Sequence, residues 1–192
     1  MYVMKEIIQK PFRFVRHGRT DWNDQSLCQG QLDIELNGSG IAEAHLLGKL
    51  LSDSTLSTIF TSPLKRAYQT AAIVAEYQKQ SRIYIADQLK ERSWGNLEGI
   101  SSDEMYKIEE LELLNSEFIA EATIEPKAVF KARIIEGLNH ILSLEEENPL
   151  IVSHGRVFLV LCEILKVPPV RQVPNTTIMH CIPESSEWII DH

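Results

Sequence analysis

The chain is short of several things at once, and each shortage closes off a class of function. Only three of its 192 residues are cysteines, Cys28, Cys162 and Cys181. They form an odd number at wide spacing with no C-x-x-C pair, so neither a disulfide framework nor a cysteine-based zinc site is expected, and reduced thiols in a cytoplasm are. Long apolar runs are missing too. The most apolar stretch, Val157 to Leu165, is short and carries Glu163, so it cannot span a bilayer. Met1 to Lys10 holds Lys5, Glu6 and Lys10 around a two-residue apolar core, too little for a secretory signal. No repeat, low-complexity tract or Gly/Pro/Ser-rich linker interrupts the chain, and residues 1–192 are expected to form a single domain. Positive charge is scarce, with 19 Lys and Arg against 27 Asp and Glu and a formal charge of −8. A nucleic-acid or membrane-surface partner would need the opposite balance. Gly48-Lys49 lacks the earlier glycine and the following Ser/Thr of a P-loop, and Gly38-Ser39-Gly40 is neither a nucleophile elbow nor a dinucleotide fingerprint.

What is present is enough apolar sequence, 44%, to bury a proper core. Short runs rich in β-branched and aromatic residues, Phe12 to Arg16, Ser57 to Thr61, Arg82 to Ala86, Pro149 to Ser153 and Thr177 to Ile182, predict strands. Between them lie stretches of helical period at Gly38 to Ser52, Ser102 to Phe118, Lys127 to Leu144 and Arg156 to Lys166. Another begins after Ser62-Pro63, read as an N-cap and an N1 proline, and places Leu64, Ala67, Tyr68, Ala71, Val74 and Ala75 on one face. This alternation predicts an α/β three-layer sandwich, a mostly parallel central sheet flanked by helices. In such sheets ligands bind beyond the carboxyl ends of the strands.

Those ends share a look. Phe12 to Arg16 runs into His17-Gly18-Arg19, and Pro149 to Ser153 runs into His154-Gly155-Arg156. Each strand delivers a histidine to the same edge, and each glycine allows a close backbone approach to a ligand. A third end, Phe60 to Arg66, puts Lys65 and Arg66 in the first turn of a helix, where a cation opposes the macrodipole and a bound anion would reverse the penalty. The fourth leads into the loop Leu89 to Gly99, with carboxylates at Glu91 and Glu98. Two imidazoles, two guanidinium forks and a carboxylic acid are what phosphoryl transfer needs. The neutral ring nitrogen attacks, cations hold the equatorial oxygens, and the acid protonates the leaving oxygen.

Arg16-His17-Gly18-Arg19-Thr20 resembles the R-H-G-x-T signature of the histidine phosphatase superfamily, the phosphoglycerate mutase-like fold. The resemblance continues in order through Gln29-Gly30-x-x-Asp33-x-x-Leu36 with Gly40 beyond it, Ser62-Pro63-Leu64-x-Arg66-Ala67-x-Gln69-Thr70-Ala71, Leu89-x-Glu91 with Gly95 and Glu98-Gly99, and Val152-Ser153-His154-Gly155. It implies that His17 becomes a phosphohistidine, that Arg16, Arg66 and His154 hold the phosphoryl oxygens with Gly155 beside them, and that Glu91 is the general acid and then the base for water. Asn23 and Gln29-Gly30 resemble the loop that closes over the phosphate, and Glu98 is read as structural. The resemblance implies no metal and no cofactor. A small phosphorylated metabolite is the expected partner. A cysteine-dependent phosphatase is excluded because Ile34, Pro168 and Glu187, not arginines, stand six positions after the cysteines.

Departures from the family point to the phosphatase branch. Mutases carry an insert with cations for the substrate carboxylate, whereas Asp103 to Glu125 holds eight acidic residues and one lysine, Lys107. That segment concentrates most of the negative charge, and residues 100–126 are expected to form a helical cap. Arg19 stands where Glu or Gln is common, and Arg156 where mutases have Asn and phosphatases a small residue; surface ion pairing is the expectation for Arg156. The G-E-S turn is replaced by Ile124-Glu125-Pro126. His45, His140, His180 and His192 show no ligand spacing, and Trp22 and Trp94 flank the key loops. The reading is a phosphomonoester hydrolase, with a cofactor-dependent phosphoglycerate mutase and a non-catalytic phosphate-binding module as alternatives.

Overall fold

The structure is a computed structural model that describes residues 6–54, 56–79, 81–111, 121–168, 173–185 and 187–191. Its strands are β1 (Phe12–Arg16), β2 (Thr58–Thr61), β3 (Arg82–Ile85), β4 (Leu150–Ser153), β5 (Ile178–Glu184) and β6 (Glu187–Asp191). They form one sheet in the order β3-β2-β4-β1-β5-β6. The first four are mutually parallel, and β5 and β6 run antiparallel at one edge. The helices are α1 (Asp21–Asp24), α2 (Gly38–Leu51), α3 (Lys65–Glu76), α4 (Ser102–Leu111), α5 (Lys127–Ser143) and α6 (Gly155–Leu165).

The period of two in each strand sorts side chains onto two cores. Phe12 and Phe14 of β1, Phe60 of β2 and Ile151 of β4 face α5 and α6, where they meet Ile134, Leu138, Val157 and Phe158. Val15, Ile59, Leu150 and Val152 face the other way, onto Leu47 and Leu51 of α2 and Ala67, Ala71 and Val74 of α3. The three-layer sandwich expected from the sequence is the one observed. A third, smaller cluster joins α4 to the loops beside it through Cys28, Trp94, Met105, Ala122 and Ile124.

Two elements differ from the sequence reading. The last strand extends through Pro183 to Glu184 and turns back into β6, which the sequence had not announced. Pro183 lies beyond the last residue of β5 that pairs with β1, Cys181 opposite Phe12, so its missing N–H breaks no bond on that side. Ser62-Pro63 is not the start of α3. The helix begins at Lys65 with Leu64 at the N-cap and no cap from its own side chain. Instead Asp33, from a loop 32 positions earlier, accepts the Lys65 main-chain N–H at 2.7 Å, giving the cap from a distance. Of the sequence expectations, residues 112–118 of the Ser102 to Phe118 helix and His192 lie outside the described residues.

Asp33 therefore does for α3 what a local cap does elsewhere. Asp33→Ala should lower stability to urea by about 1 kcal/mol, the usual worth of an N-cap; an unchanged midpoint would show that the contact contributes nothing.

Candidate functional site

Strand register brings the key residues together. Arg16 pairs with Ser153 and Thr61 with Val152, so His17, His154 and Ser62 emerge side by side from three adjacent strands. The ladder continues one residue further, with His17 N–H donating to Ser153 at 2.9 Å and Ser62 N–H to Val152 at 3.1 Å. From here α3 packs on one face of the sheet and α6 on the other, and chains that diverge in this way leave a crevice between them. Gly18 is required at the turn because a Cβ there would fall 2.5 Å from the Gly40 carbonyl oxygen.

Each imidazole has one nitrogen fixed by the fold. His17 Nδ1 lies 2.7 Å from the Gly18 carbonyl oxygen. A carbonyl only accepts, so Nδ1 carries the proton and Nε2 keeps its lone pair. His154 Nε2 lies 2.8 Å from Ser62 Oγ, which already accepts the Leu64 N–H at 3.3 Å. The other ring nitrogen, Nδ1, is buried with no hydrogen-bond partner among the described residues. The two rings are 5.2 Å apart between centroids.

The guanidiniums flank them. Arg66 is 1% exposed and donates from Nη1 to Leu32 O at 2.8 Å and from Nη2 to Gly30 O at 2.7 Å. Arg16 Nη1 donates to Val173 O at 2.7 Å. Each fork is aligned by carbonyls, and in each the Nε–H is buried without a partner. Burial lowers both pKa values, that of Arg66 to about 10, so both stay cationic at neutral pH. Arg16 lies over the start of α6, its Nε 3.5 Å from where a Cβ on Gly155 would stand, an ordinary van der Waals distance.

Glu91 is held at its main chain and at both oxygens. Arg133 of α5 donates to the carbonyls of Gln88, Lys90 and Glu91 at 2.7, 2.8 and 2.9 Å. Glu125 aligns that guanidinium through both carboxylate oxygens at 2.7 Å. The Glu91 carboxylate accepts the Arg92 N–H at 2.9 Å and, from the first turn of α6, the Arg156 N–H at 3.1 Å. Gln31 Nε2 ties its carbonyl to the Gln29-Gly30 loop at 2.9 Å. The sequence reading missed Arg133, Gln31 and Ser62. Arg133 and Gln31 grip main-chain carbonyls, which leave no mark in a sequence; the Glu125 that survives from the altered turn was the one available signal for Arg133.

Arg16, His17, Asn23, Gln29, Gly30, Arg66, Glu91 and Gly155 line a cavity of about 730 Å³, while His154 is fully buried and is not part of its lining. Gln29 is buried with Oε1 unpartnered. Asn23 closes a capping box with Thr20. Gly30 adopts a left-handed φ of 49°, and a Cβ there would strike Glu98 Oε1. That same oxygen accepts the main-chain N–H groups of Gln31 and Trp94, matching the structural reading of Glu98. Trp22 and Trp94 both line the cavity. Arg19 pairs with Asp24. Arg156 pairs with Glu109 as expected, but its side chain is only 11% exposed and the pair is not a surface one. Elsewhere His45 is bonded to the Tyr77 hydroxyl at 3.1 Å.

Burial first, then Arg66 and Arg16, holds His17 well below its ordinary value of 6.5. Burial, Arg66, His17 and Arg16 do the same to His154. With both folded values depressed, their contribution is fully present above the unfolded pKa, about 6.5, and is lost as the pH falls toward the folded values, because the unfolded chain takes up protons first. Stability to urea in phosphate-free buffer should therefore decline from pH 7 to 5. His154→Gln should flatten that slope by about one proton, about 1.4 kcal/mol per pH unit. A variant curve as steep as the parent's would mean that His154 is not held neutral.

Comparison with known proteins agrees with this geometry. The chain is 37% identical over 153 residues to a phosphatase of Bacillus subtilis, covering 78% of this chain and 75% of that one. It is 38% identical over 95 residues to phosphoglycerate mutase-like protein 4 of Arabidopsis thaliana, where the match covers 49% of this chain and only 41% of the relative. Among solved structures, Bacillus stearothermophilus YhfR superposes with a TM-score of 0.78 at 27% identity, over 94% of this chain and 95% of that one. The model of the histidine phosphatase superfamily (branch 1) matches residues 12–192, and the chain belongs to that family.

Proposed function

We propose that the protein hydrolyses phosphomonoesters of small metabolites through a phosphohistidine on His17. One observation carries this reading. The buried Nε–H groups of Arg16 and Arg66 and the buried Nδ1 of His154 have no partner among the described residues, and they belong to the residues surrounding an imidazole whose Nε2 lone pair is left free by the Gly18 carbonyl. Two guanidinium donors, an imidazole that donates when Nδ1 carries its proton, and a nucleophile in that arrangement suit a phosphoryl group, whose charge spreads over three equatorial oxygens.

In the first step His17 Nε2 forms a bond to phosphorus as the bond to the ester oxygen breaks, and protonated Glu91 gives its proton to the departing oxygen. In the second, the Glu91 carboxylate takes a proton from water as the water oxygen attacks phosphorus. The phosphorus–nitrogen bond breaks, and phosphate leaves with neutral His17 restored. The positive charge that stabilises both steps comes from the chain's own guanidiniums, so the scheme asks for no metal. Glu91 suits the acid–base role because its loop is fixed by Arg133 and its carboxylate is oriented by two main-chain N–H groups. Small phosphate esters fit a cavity of about 730 Å³. Among the described residues no helix is long and apolar enough to cross a membrane, in keeping with action on soluble metabolites in a cytoplasm.

Acid-quenched enzyme turning over a phosphorus-labelled ester should carry acid-labile, base-stable label, and His17→Ala should lose both the label and the hydrolysis. An active preparation that never acquires label under rapid quench would contradict the covalent route. Inactivity of both forms toward generic aryl phosphates would favour the binding module. Glu91→Gln should slow hydrolysis of an alkyl phosphate by about 100-fold or more, the usual worth of a positioned general acid. Its effect on kcat/KM for 4-nitrophenyl phosphate, which reads the first step alone and whose leaving group needs no proton, should be much smaller. Equal losses on the two substrates would remove Glu91 from the acid role.

A further inference from the structure

Beyond the phosphoryl pocket, the cavity extends to a chamber lined by residues of α2, α4 and α6, where the leaving alcohol of a substrate would lie. Two guanidiniums reach this chamber, and both are already engaged. Arg156 Nη1 bonds Glu109 Oε2 at 2.9 Å, its guanidinium carbon stacks 4.4 Å from the centre of the Tyr106 ring, and Nη2 touches Met105 Sδ at 3.7 Å. All three partners are on α4, so Arg156 clasps that helix against α6. Glu109 does not itself line the chamber, and its other oxygen pairs with Arg92 at 3.4 Å. Arg19 pairs with Asp24, whose second oxygen accepts the Asn37 amide at 2.8 Å. Glu43 and Asp103 also line the chamber. Arg19 and Arg156 are each neutralised by a carboxylate behind the lining, Asp24 and Glu109, which leaves the lining carboxylates Glu43 and Asp103 to give the region that would meet the leaving group its sign, opposite to that of the pocket beneath it.

We propose, resting on the phosphatase reading above, that this chamber selects phosphomonoesters whose leaving alcohol carries no anionic group, neutral or amine-bearing. Glu109 is the specificity-determining residue, acting through Arg156. A carboxylate on the leaving group meets Glu43 and Asp103 and finds Arg156 occupied. Without Glu109 the Arg156 guanidinium becomes available to it. Discrimination of this kind arises from repulsion against the wrong ligand as much as from attraction to the right one.

Three matched aryl phosphates bearing 4-hydroxymethyl, 4-aminomethyl or 4-carboxyl groups test this, with phosphate release as the readout. The carboxyl ester should have a kcat/KM about tenfold or more below the hydroxymethyl ester, the loss lying mainly in KM, while the aminomethyl ester is cleaved at least as well. Glu109→Gln should shrink the carboxyl-to-hydroxymethyl gap to about threefold or less. The ratio cancels any general loss of activity in the variant. Asp103→Asn, at an exposed position in the first turn of α4, should narrow the same gap and serves if Glu109→Gln does not fold. Equal or preferred cleavage of the carboxyl ester by the parent, or a gap untouched by either variant, would overturn the assignment while leaving the phosphatase reading intact. Release from none of the three would remove both.

Discussion

Two guanidinium groups are held beside two neutral imidazoles at the carboxyl ends of a parallel sheet, and among the described residues no carboxylate forms an ion pair with Arg16 or Arg66. Withdrawing a charge from water costs several kcal/mol unless something of opposite sign replaces it. Here main-chain carbonyls of Gly30, Leu32 and Val173 take only part of the donor capacity. Burial, together with the same positive field, holds the pKa values of His17 and His154 well below the ordinary 6.5. An arrangement that is costly alone and favourable around a dianion accounts for most other features of the site.

The fold supports that arrangement from several sides. α3 carries Arg66, and the loop whose carbonyls align it is anchored to the same helix by Asp33 on the Lys65 N–H and by Gln69 on the Leu36 N–H. The helix and the loop through Gly30 and Leu32 therefore hold each other. On the opposite side Ser153 Oγ donates to the Leu89 carbonyl at 2.7 Å, fastening the acid loop to the strand that delivers His154. Arg133 and Glu125 secure that loop from α5. Arg66 is almost fully buried, Asp103 is exposed, and the Arg156–Glu109 pair is partly buried between them.

The sequence revealed the parts of this that depend on residue type at a fixed spacing. Alternating apolar runs announced the parallel sheet, and histidine-glycine pairs at two strand ends announced the edge to which it delivers its chemistry. What stayed hidden depends on partners distant in the chain. Ser62 looked like a helix cap, yet its hydroxyl serves His154, and the cap comes from Asp33. Arg133 looked like an ordinary helical arginine because its targets are carbonyls, which every residue possesses. Arg156 was expected to pair at the surface; it pairs instead in a nearly buried position, because the acidic helix α4 packs over it. The net charge of −8 said nothing of a cationic floor, since an average over the chain erases where each charge sits.

The central claim is that the floor of this site holds His17 neutral with its proton on Nδ1 and its Nε2 lone pair directed to chemistry. Long-range proton–nitrogen correlation spectra of protein labelled with nitrogen-15 at histidine read that state directly. The account predicts a neutral Nδ1–H tautomer for His17 at pH 7, persisting below pH 6, with a neutral His154 beside it. A His17 imidazolium at pH 7, or a proton found on Nε2, would contradict it.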